Sequence, residues 1–453
     1  MTLSQSTTAG AELSPPSSQS FRRSKELQQI AHALIPGGAH TYAKGDDQFP
    51  VHAPGFIDRG LGSHIWDVDG NEFIEYGAGA RTVTLGHAFG PVVEAVHREA
   101  LRGCNFVRPA AIEVEAAQVF LECVPGMEMV KFSKNGSDAT TAAVKLARAH
   151  TGRDMVAFCA DQPFFSTDDW FIGLSGMPGG IPQAYRELSC TFRFNDLDGV
   201  RALFAAHPGR IACLILEGMN TVEPAPGYLQ GLLALCHENG ALLVMDEMVT
   251  GFRWAVGGAQ QVYGITPDLA TFGKAIGNGF AVSALAGKRD IMERGGLTTD
   301  KEKVFLLSTT HGSETVGLAA AIATMRVYRT EPVVETLYAR GERLRTGALQ
   351  AAVASGVGSA FDVIGRPCGL IFVTKNQAGE RSQEFRTLFL QEIIRRGVIA
   401  PNFFVNYSHT DADIDATIDA VYGALQVYKR ALDEGVEHHL VGRPVKPVMR
   451  RFN

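Results

Sequence analysis

The stretch 241-ALLVMDEMVTGFRW-254, followed by 267-PDLATFGKAIGNG-279, decides how the chain is read. Leu242, Leu243, Val244 and Met245 form a short unbroken apolar run of the kind used by a strand buried on both faces, which places Asp246 at the C-terminal end of a parallel strand. In open α/β sheets that edge faces the ligand crevice. Lys274 sits among Gly273, Ala275, Gly277 and Gly279, small neighbours that let a flat, bulky group approach its amine. A lysine able to form a Schiff base and a carboxylate able to keep a ring nitrogen protonated are what a pyridoxal phosphate coenzyme requires. Taken singly, the aspartate also fits a turn or cap and the lysine a solvated loop, so the remainder of the chain has to carry the reading.

The 453 residues provide for two or three domains with sizeable cores. With 45% hydrophobic and 20% charged residues and a formal net charge of −6, the chain has the composition of a soluble enzyme. It lacks the basic footprint that nucleic acid or an anionic membrane surface would select. The seven cysteines are scattered, odd in number and without a CxxC pair, which argues against a disulfide framework or zinc site and for reduced thiols in the cytoplasm. Residues 1–20, rich in Ser, Thr and Pro, read as a disordered tail and not a signal peptide. No stretch approaches the roughly 20 apolar residues of a membrane helix.

Order is expected from Phe21, with Leu27, Ile30 and Leu34 on one helix face and a stop at Pro36-Gly37-Gly38. Ser63–Glu75 reads as a hairpin turning at Asp69-Gly70. Pro91 suits the first turn of a helix with Val92, Val93 and Val96 inward. From Ala111 to about Arg329, strands MVKFS, MVAF, ACLIL, ALLVM and AVSALAG alternate with helical segments, the pattern of a mostly parallel sheet covered on both faces. Beyond Thr330 the pattern becomes a smaller α+β region, with a capping box at Thr410 and Asp413 opening a helix faced by Ile414, Ile418, Val421 and Leu425. The expected division is a tail (1–20), an N-terminal segment joining the small domain (21–85), a large domain (86–330) and a C-terminal small domain (331–453).

Asn135-Gly136-Ser137, between a strand and a helix, offers backbone N–H groups and a hydroxyl where a helix dipole favours an anion such as phosphate. A plain helix N-cap uses the same residues. KNGSDATTAAVKLAR, LILEGMN, LLVMDEMVTGFR, PDLATFGKAIGNG and STTHGSETVGLAAA occur in the order found in class III pyridoxal-phosphate-dependent aminotransferases, and the chain resembles that family over about residues 25–430. Within it the chain is most similar to the glutamate-1-semialdehyde 2,1-aminomutase-like group, through IPGGAHT, GARTVTLGHAF, Asn195-Asp196-Leu197 and the TGFR after the aspartate. The resemblance implies an α/β, aspartate-aminotransferase-like fold (fold type I), a large mostly parallel sheet domain with a smaller α+β domain, and a homodimer with a shared active site.

By the same resemblance Lys274 is the Schiff-base lysine and Asp246 the partner of the ring nitrogen. Met248 lies under the ring where relatives have valine, and Gly136 and Ser137 bind the phosphate. Thr310 reaches the phosphate of the other subunit, and Glu217 and Asn220 lie on the ring's 3-hydroxyl side. The chain departs from the pattern in several places. DQPFFSTDDWF replaces a Tyr-His-Gly segment, leaving Phe164 or Phe165 to supply the aromatic face. Lys44 stands for an arginine, which forfeits a bidentate carboxylate contact, and Ala80 stands for a tryptophan, followed by Arg81. His40, Tyr42, Lys44 and Arg81 are the candidate substrate contacts, each also compatible with a packing role. The implied activity is transfer of an amino group from an amino-acid donor, by resemblance glutamate, to the carbonyl of a small polar ketone or aldehyde such as a keto-sugar or cyclitol. Pyridoxamine phosphate is the form between the two halves of the reaction. The alternatives are intramolecular transfer within glutamate semialdehyde, and a non-catalytic coenzyme-binding regulator. No metal, nucleic acid or membrane partner is expected.

Overall fold

The computed structural model describes residues 19–452, so residues 1–18 of the expected tail lie outside the described residues. Seven short runs build one sheet: β1 (Met129–Ser133), β2 (Met155–Cys159), β3 (Ser189–Phe192), β4 (Ile211–Leu216), β5 (Leu242–Asp246), β6 (Leu269–Phe272) and β7 (Ser283–Gly287). Their order across the sheet is β1-β7-β6-β5-β4-β2-β3. Neighbours from β6 through β3 are parallel, whereas β7 is antiparallel to both β6 and β1. Every residue of β4 and β5 is buried, which is why these strands read as continuous apolar runs without alternation. The register that pairs Asp246 with Thr271 brings Lys274, just beyond β6, level with the end of β5.

The helix Gly136–Thr151 lays Ala139, Ala143, Val144 and Ala147 inward against the sheet, small residues that permit close approach. It ends at Gly152 in the left-handed region, φ 65°. A second helix, Thr315–Thr330, buries Leu318, Ala321, Ile322 and Met325.

Ile57–Leu61, His64–Asp67 and Glu72–Glu75 form an antiparallel meander turning at Gly70, φ 88°. Its fourth strand is Val398–Ile399, which pairs parallel to Glu72–Glu75. Helices Val333–Ala354, Gln383–Ile394 and Asp411–Glu434 surround the hairpin of Phe361–Ile364 and Ile371–Thr374. The last helix opens on the expected box, Thr410 Oγ1 accepting from Asp413 N at 3.1 Å and Asp413 Oδ2 from Thr410 N at 2.8 Å.

Two apolar faces differ from expectation. Val93 is exposed, and so are Ile30 (53%) and Leu34 (76%) on the helix Arg22–Leu34. That helix docks through polar contacts at its start, where Arg23 N and Ser24 N donate to Asp69 at 2.7 and 2.9 Å and Lys25 Nζ donates to Val51 O at 2.7 Å. Among the described residues, no helix is long and apolar enough to cross a membrane, and no His, Cys, Asp and Glu cluster is arranged to hold a metal ion.

Gly341 shows how closely the helix Val333–Ala354 packs on the turn Pro367–Gly369, since a Cβ there would stand 1.8 Å from Pro367 O. Alanine would gain about 1 kcal/mol of helix propensity, but a backbone oxygen cannot rotate aside and overpacking costs about 1–3 kcal/mol. Gly341→Ala is therefore expected to lower the melting midpoint by several degrees, and an unchanged midpoint would contradict this packing.

Candidate active site

The ends of β4, β5 and β6 deliver three ionisable groups to one place. Asp246, the last residue of β5, is buried, and its Oδ1 accepts from Met248 N at 2.9 Å and Thr271 Oγ1 at 3.2 Å. Both bonds fall on Oδ1, and no described residue donates to Oδ2. Burial pushes the carboxyl up to about 6, with Lys274 opposing. Glu217 follows β4 and is pushed to about 7, by burial first and by Asp246 next, against Lys274, Arg81 and Asn220. Its backbone is fixed by Gln162, which accepts from Glu217 N at 2.8 Å and donates to Glu217 O at 2.6 Å. Asn220 Nδ2 donates to Glu217 Oε2 at 2.9 Å.

Lys274 adopts a left-handed φ of 46° and opens a short 3-10 turn, Lys274–Gly277. Such a conformation in a lysine is strained, and strain of this kind gathers at functional sites. Burial pulls its ammonium below the ordinary value, Asp246 and Glu217 push back, and Arg81 and Arg253 reinforce the lowering. Glu247, next to Asp246, pins the loop after β5, accepting from Thr250 Oγ1, from Ala259 N at 2.7 Å and from Gln260 N at 2.8 Å. Burial pushes this carboxyl to about 7.

The surroundings fit a pyridoxal phosphate. With both of its hydrogen bonds on Oδ1, Asp246 has an oxygen that suits a pyridinium N–H. Met248 packs against backbone on two sides, its Sδ 3.0 Å from where a Gly136 Cβ would be and 2.6 Å from a Gly273 Cβ. A Cβ at Gly273 would force the thioether to shift, and one at Gly136 would press on it. Gly136, against Met248, and Ser137 begin the helix that follows β1, and Ser137 Oγ accepts from Thr167 N at 3.0 Å, leaving its own proton to donate.

A cavity of about 1080 Å³ opens here, lined among others by Lys274, Glu217, Arg81, Phe164, His40 and Lys44. Phe165 is not at its wall: the ring is 2% exposed and packs in the core against Phe158 and Phe171, at 6.1 and 5.7 Å between ring centroids. Two consecutive residues in a loop point opposite ways, so only Phe164 faces the cavity. Tyr42 is also outside the lining, 59% exposed with its ring against Gly37. Thr310 is exposed and its carbonyl accepts from Asn105 Nδ2 at 3.0 Å, away from this chain's cavity.

Sequence reasoning missed Glu247, Gln162, Arg253, Phe404 and the cavity-lining pair Glu75 and His87, joined at 2.5 Å. Arg253 alone left a signal, a charge inside the apolar run GFRW.

The family model for class-III aminotransferases matches residues 42–162 and 172–425. The chain belongs to the class-III aminotransferases. Glutamate-1-semialdehyde 2,1-aminomutase of Bordetella avium (strain 197N) is 35% identical over 436 residues, covering 90% of this chain and 99% of that protein. The protein of the same description from Roseiflexus castenholzii (strain DSM 13941 / HLO8) is also 35% identical, with 91% and 99% covered. Among solved structures, the PLP internal aldimine form of the Sphingopyxis sp. MTA144 FumI protein is similar at a TM-score of 0.83 and 28% identity, covering 91% of this chain and 98% of that one. An omega-transaminase from Sphaerobacter thermophilus gives a TM-score of 0.81 at 26% identity, with 90% and 98% covered. This class-III aminotransferase is thus a pyridoxal-phosphate-dependent enzyme of fold type I, a transaminase or aminomutase.

The raised carboxyls make a pH prediction for the enzyme freed of coenzyme. Unfolded carboxylates titrate near pH 4, whereas Asp246, Glu217 and Glu247 in the folded chain hold protons to about 6, 7 and 7. Between those limits the folded state binds more protons, so stability falls as pH rises. Lys274, with its lowered ammonium, works in the opposite sense at higher pH, so the comparison is between variants. Glu217→Gln is expected to lose less stability than wild type between pH 5 and pH 8 in denaturant melts, and equal losses would contradict the assignment.

Proposed function

We propose that this class-III enzyme is an aminotransferase carrying an amino group from an amino-acid donor, glutamate first among them, to the carbonyl of a small polar ketone or aldehyde such as a keto-sugar or cyclitol. The observation that supports this reading best is Arg81, a guanidinium in the cavity wall that acts electrostatically on both Lys274 and Glu217. A planar fork beside the reacting amine suits a donor carboxylate. Lys44 and His40, on an exposed loop at the cavity, offer a compact charge and an imidazole that suit a polar acceptor.

Pyridoxal phosphate, when bound, supplies an electron-withdrawing ring that stabilises negative charge on the substrate carbon. In this reading Asp246 keeps the ring nitrogen protonated through Oδ2. The Gly136 backbone and Ser137 hydroxyl hold the phosphate at the helix N-terminus. Phe164 and Met248 would bound the ring's two faces, and Glu217 with Asn220 would lie on the 3-hydroxyl side. Lys274, whose ammonium is disfavoured by burial against the pull of Asp246 and Glu217, would move the proton with its Nζ. Thr310 serves the phosphate of a second copy, making a homodimer with shared sites.

Aminomutase activity is the second reading, favoured by the names of the two relatives at 35% identity. An aminomutase regenerates its coenzyme from a single substrate and needs no donor. The enzyme given glutamate semialdehyde alone is expected to make no 5-aminolevulinate, while glutamate alone is expected to bleach the visible band of the bound coenzyme. Steady conversion of the semialdehyde without an added amino acid would contradict the aminotransferase reading. Lys274→Ala should slow the bleaching by a factor of about 10²–10⁴.

A further inference from the structure

We propose that Arg253 and Phe404 are positioning residues that set the aim of the Arg81 guanidinium, and through it the preference for carboxylate-bearing substrates. The proposal rests on the reading of Arg81 as the carboxylate contact.

Arg81 is carried by a loop that the chain would not adopt unaided. Gly79, Ala80 and Arg81 are consecutively left-handed, with φ of 57°, 60° and 75°. Two of the three bear side chains that disfavour this region, so neighbouring structure has to impose it. Arg253 does so most directly. Its Nη2 donates to Arg81 O at 2.9 Å and to Thr84 Oγ1 at 3.1 Å, holding the strained residue and the loop beyond it. The far end is held by Asn278, which accepts from Leu85 N at 2.9 Å and donates to Gly86 O at 3.0 Å. Asn278 follows the turn Lys274–Gly277, so the element that presents the amine also anchors the Arg81 loop.

Arg253 is an unexpected residue to find there. It is 2% exposed, its Nε has no hydrogen-bond partner, and among the described residues no carboxylate stands within ion-pair distance. A buried cation without a counter-ion is destabilising, and an apolar side chain would pack at lower cost. What the guanidinium provides is a pair of directed donors to the loop and a positive charge behind Arg81. Phe404 completes the arrangement from the C-terminal part of the chain. Its ring centroid lies 4.6 Å from Arg81 Cζ and 5.1 Å from Arg253 Cζ, and its carbonyl accepts from Gly77 N at 3.1 Å. One aromatic ring is thus the platform for both guanidinium groups, and it is tied by its backbone to the start of the same loop.

The test uses holoenzyme variants Phe404→Leu, Arg253→Met and Arg253→Lys, with Arg81→Gln as reference and each checked by its melting midpoint. Glutarate, a dicarboxylate without an amine, is titrated by calorimetry. In parallel the bleaching of the coenzyme band is followed with glutamate and with isopropylamine, which lacks a carboxylate. Phe404→Leu and Arg253→Met are expected to weaken glutarate binding by about fivefold or more and to raise the half-saturation for glutamate by the same factor. In Phe404→Leu the maximal rate and the isopropylamine reaction should stay within about twofold, and Arg253→Lys should recover part of the glutarate affinity that Arg253→Met loses. Wild-type glutarate affinity in both Phe404→Leu and Arg253→Met, with Arg81→Gln impaired, would overturn the positioning role and leave the Arg81 reading standing. Wild-type affinity in Arg81→Gln, or no saturable glutarate binding by the wild type, would remove that reading and the positioning role together. Should Arg253→Met fail to fold, Phe404→Leu decides.

Discussion

A carboxylate stripped of its hydration, as Asp246 is at the end of β5, must be offset by hydrogen bonds or a nearby cation, or it takes up a proton. The protein offers two donors, both to one oxygen, and a lysine whose own charge is disfavoured by burial. In the proposed reading the second oxygen would face a cationic ring. β4, β5 and β6 are parallel neighbours, so Glu217, Asp246 and Lys274 emerge at one sheet edge and their charges are interdependent.

The loops around that edge are coupled in the same way. Ala80, Arg81, Lys274 and Asn278 are all left-handed without being glycine. Each is locally unfavourable, and each is connected to the others: Asn278 ends the Lys274 turn and bonds the loop that carries Arg81, which Arg253 holds from beneath. Strain at one position is sustained by contacts made at another, so the Arg81 loop and the Lys274 turn are held as a unit.

Much of this was legible in the residues. A run buried on both faces cannot alternate, so LLVMD announced a central strand with its aspartate at the edge. Gly273 read as room for a flat group beside the amine and Gly136 as backbone offered to a phosphate, and in the structure the Met248 thioether lies against both. The capping box at Thr410 and the turn at Gly70 follow from local chemistry and appear as expected. What stayed hidden depends on tertiary direction. Nothing local distinguishes Phe164 from Phe165, and only the fold turns one to the cavity and the other to the core. Tyr42 looked like a loop contact but lies against Gly37. Ile30, Leu34 and Val93 have helical apolar spacing yet lie exposed on this chain, because spacing reports a stripe and not what covers it. Arg253 was visible as a charge among apolar residues, but its partners are 169 and 172 positions away in sequence.

The central claim is that Lys274 is the residue that holds the coenzyme, with Asp246 beside it. Borohydride reduction of the holoenzyme, followed by peptide mass mapping, tests it most directly. The coenzyme is expected on the peptide containing Lys274 and on no other. Attachment to a different lysine, or release of unattached coenzyme after reduction, would contradict the site described here.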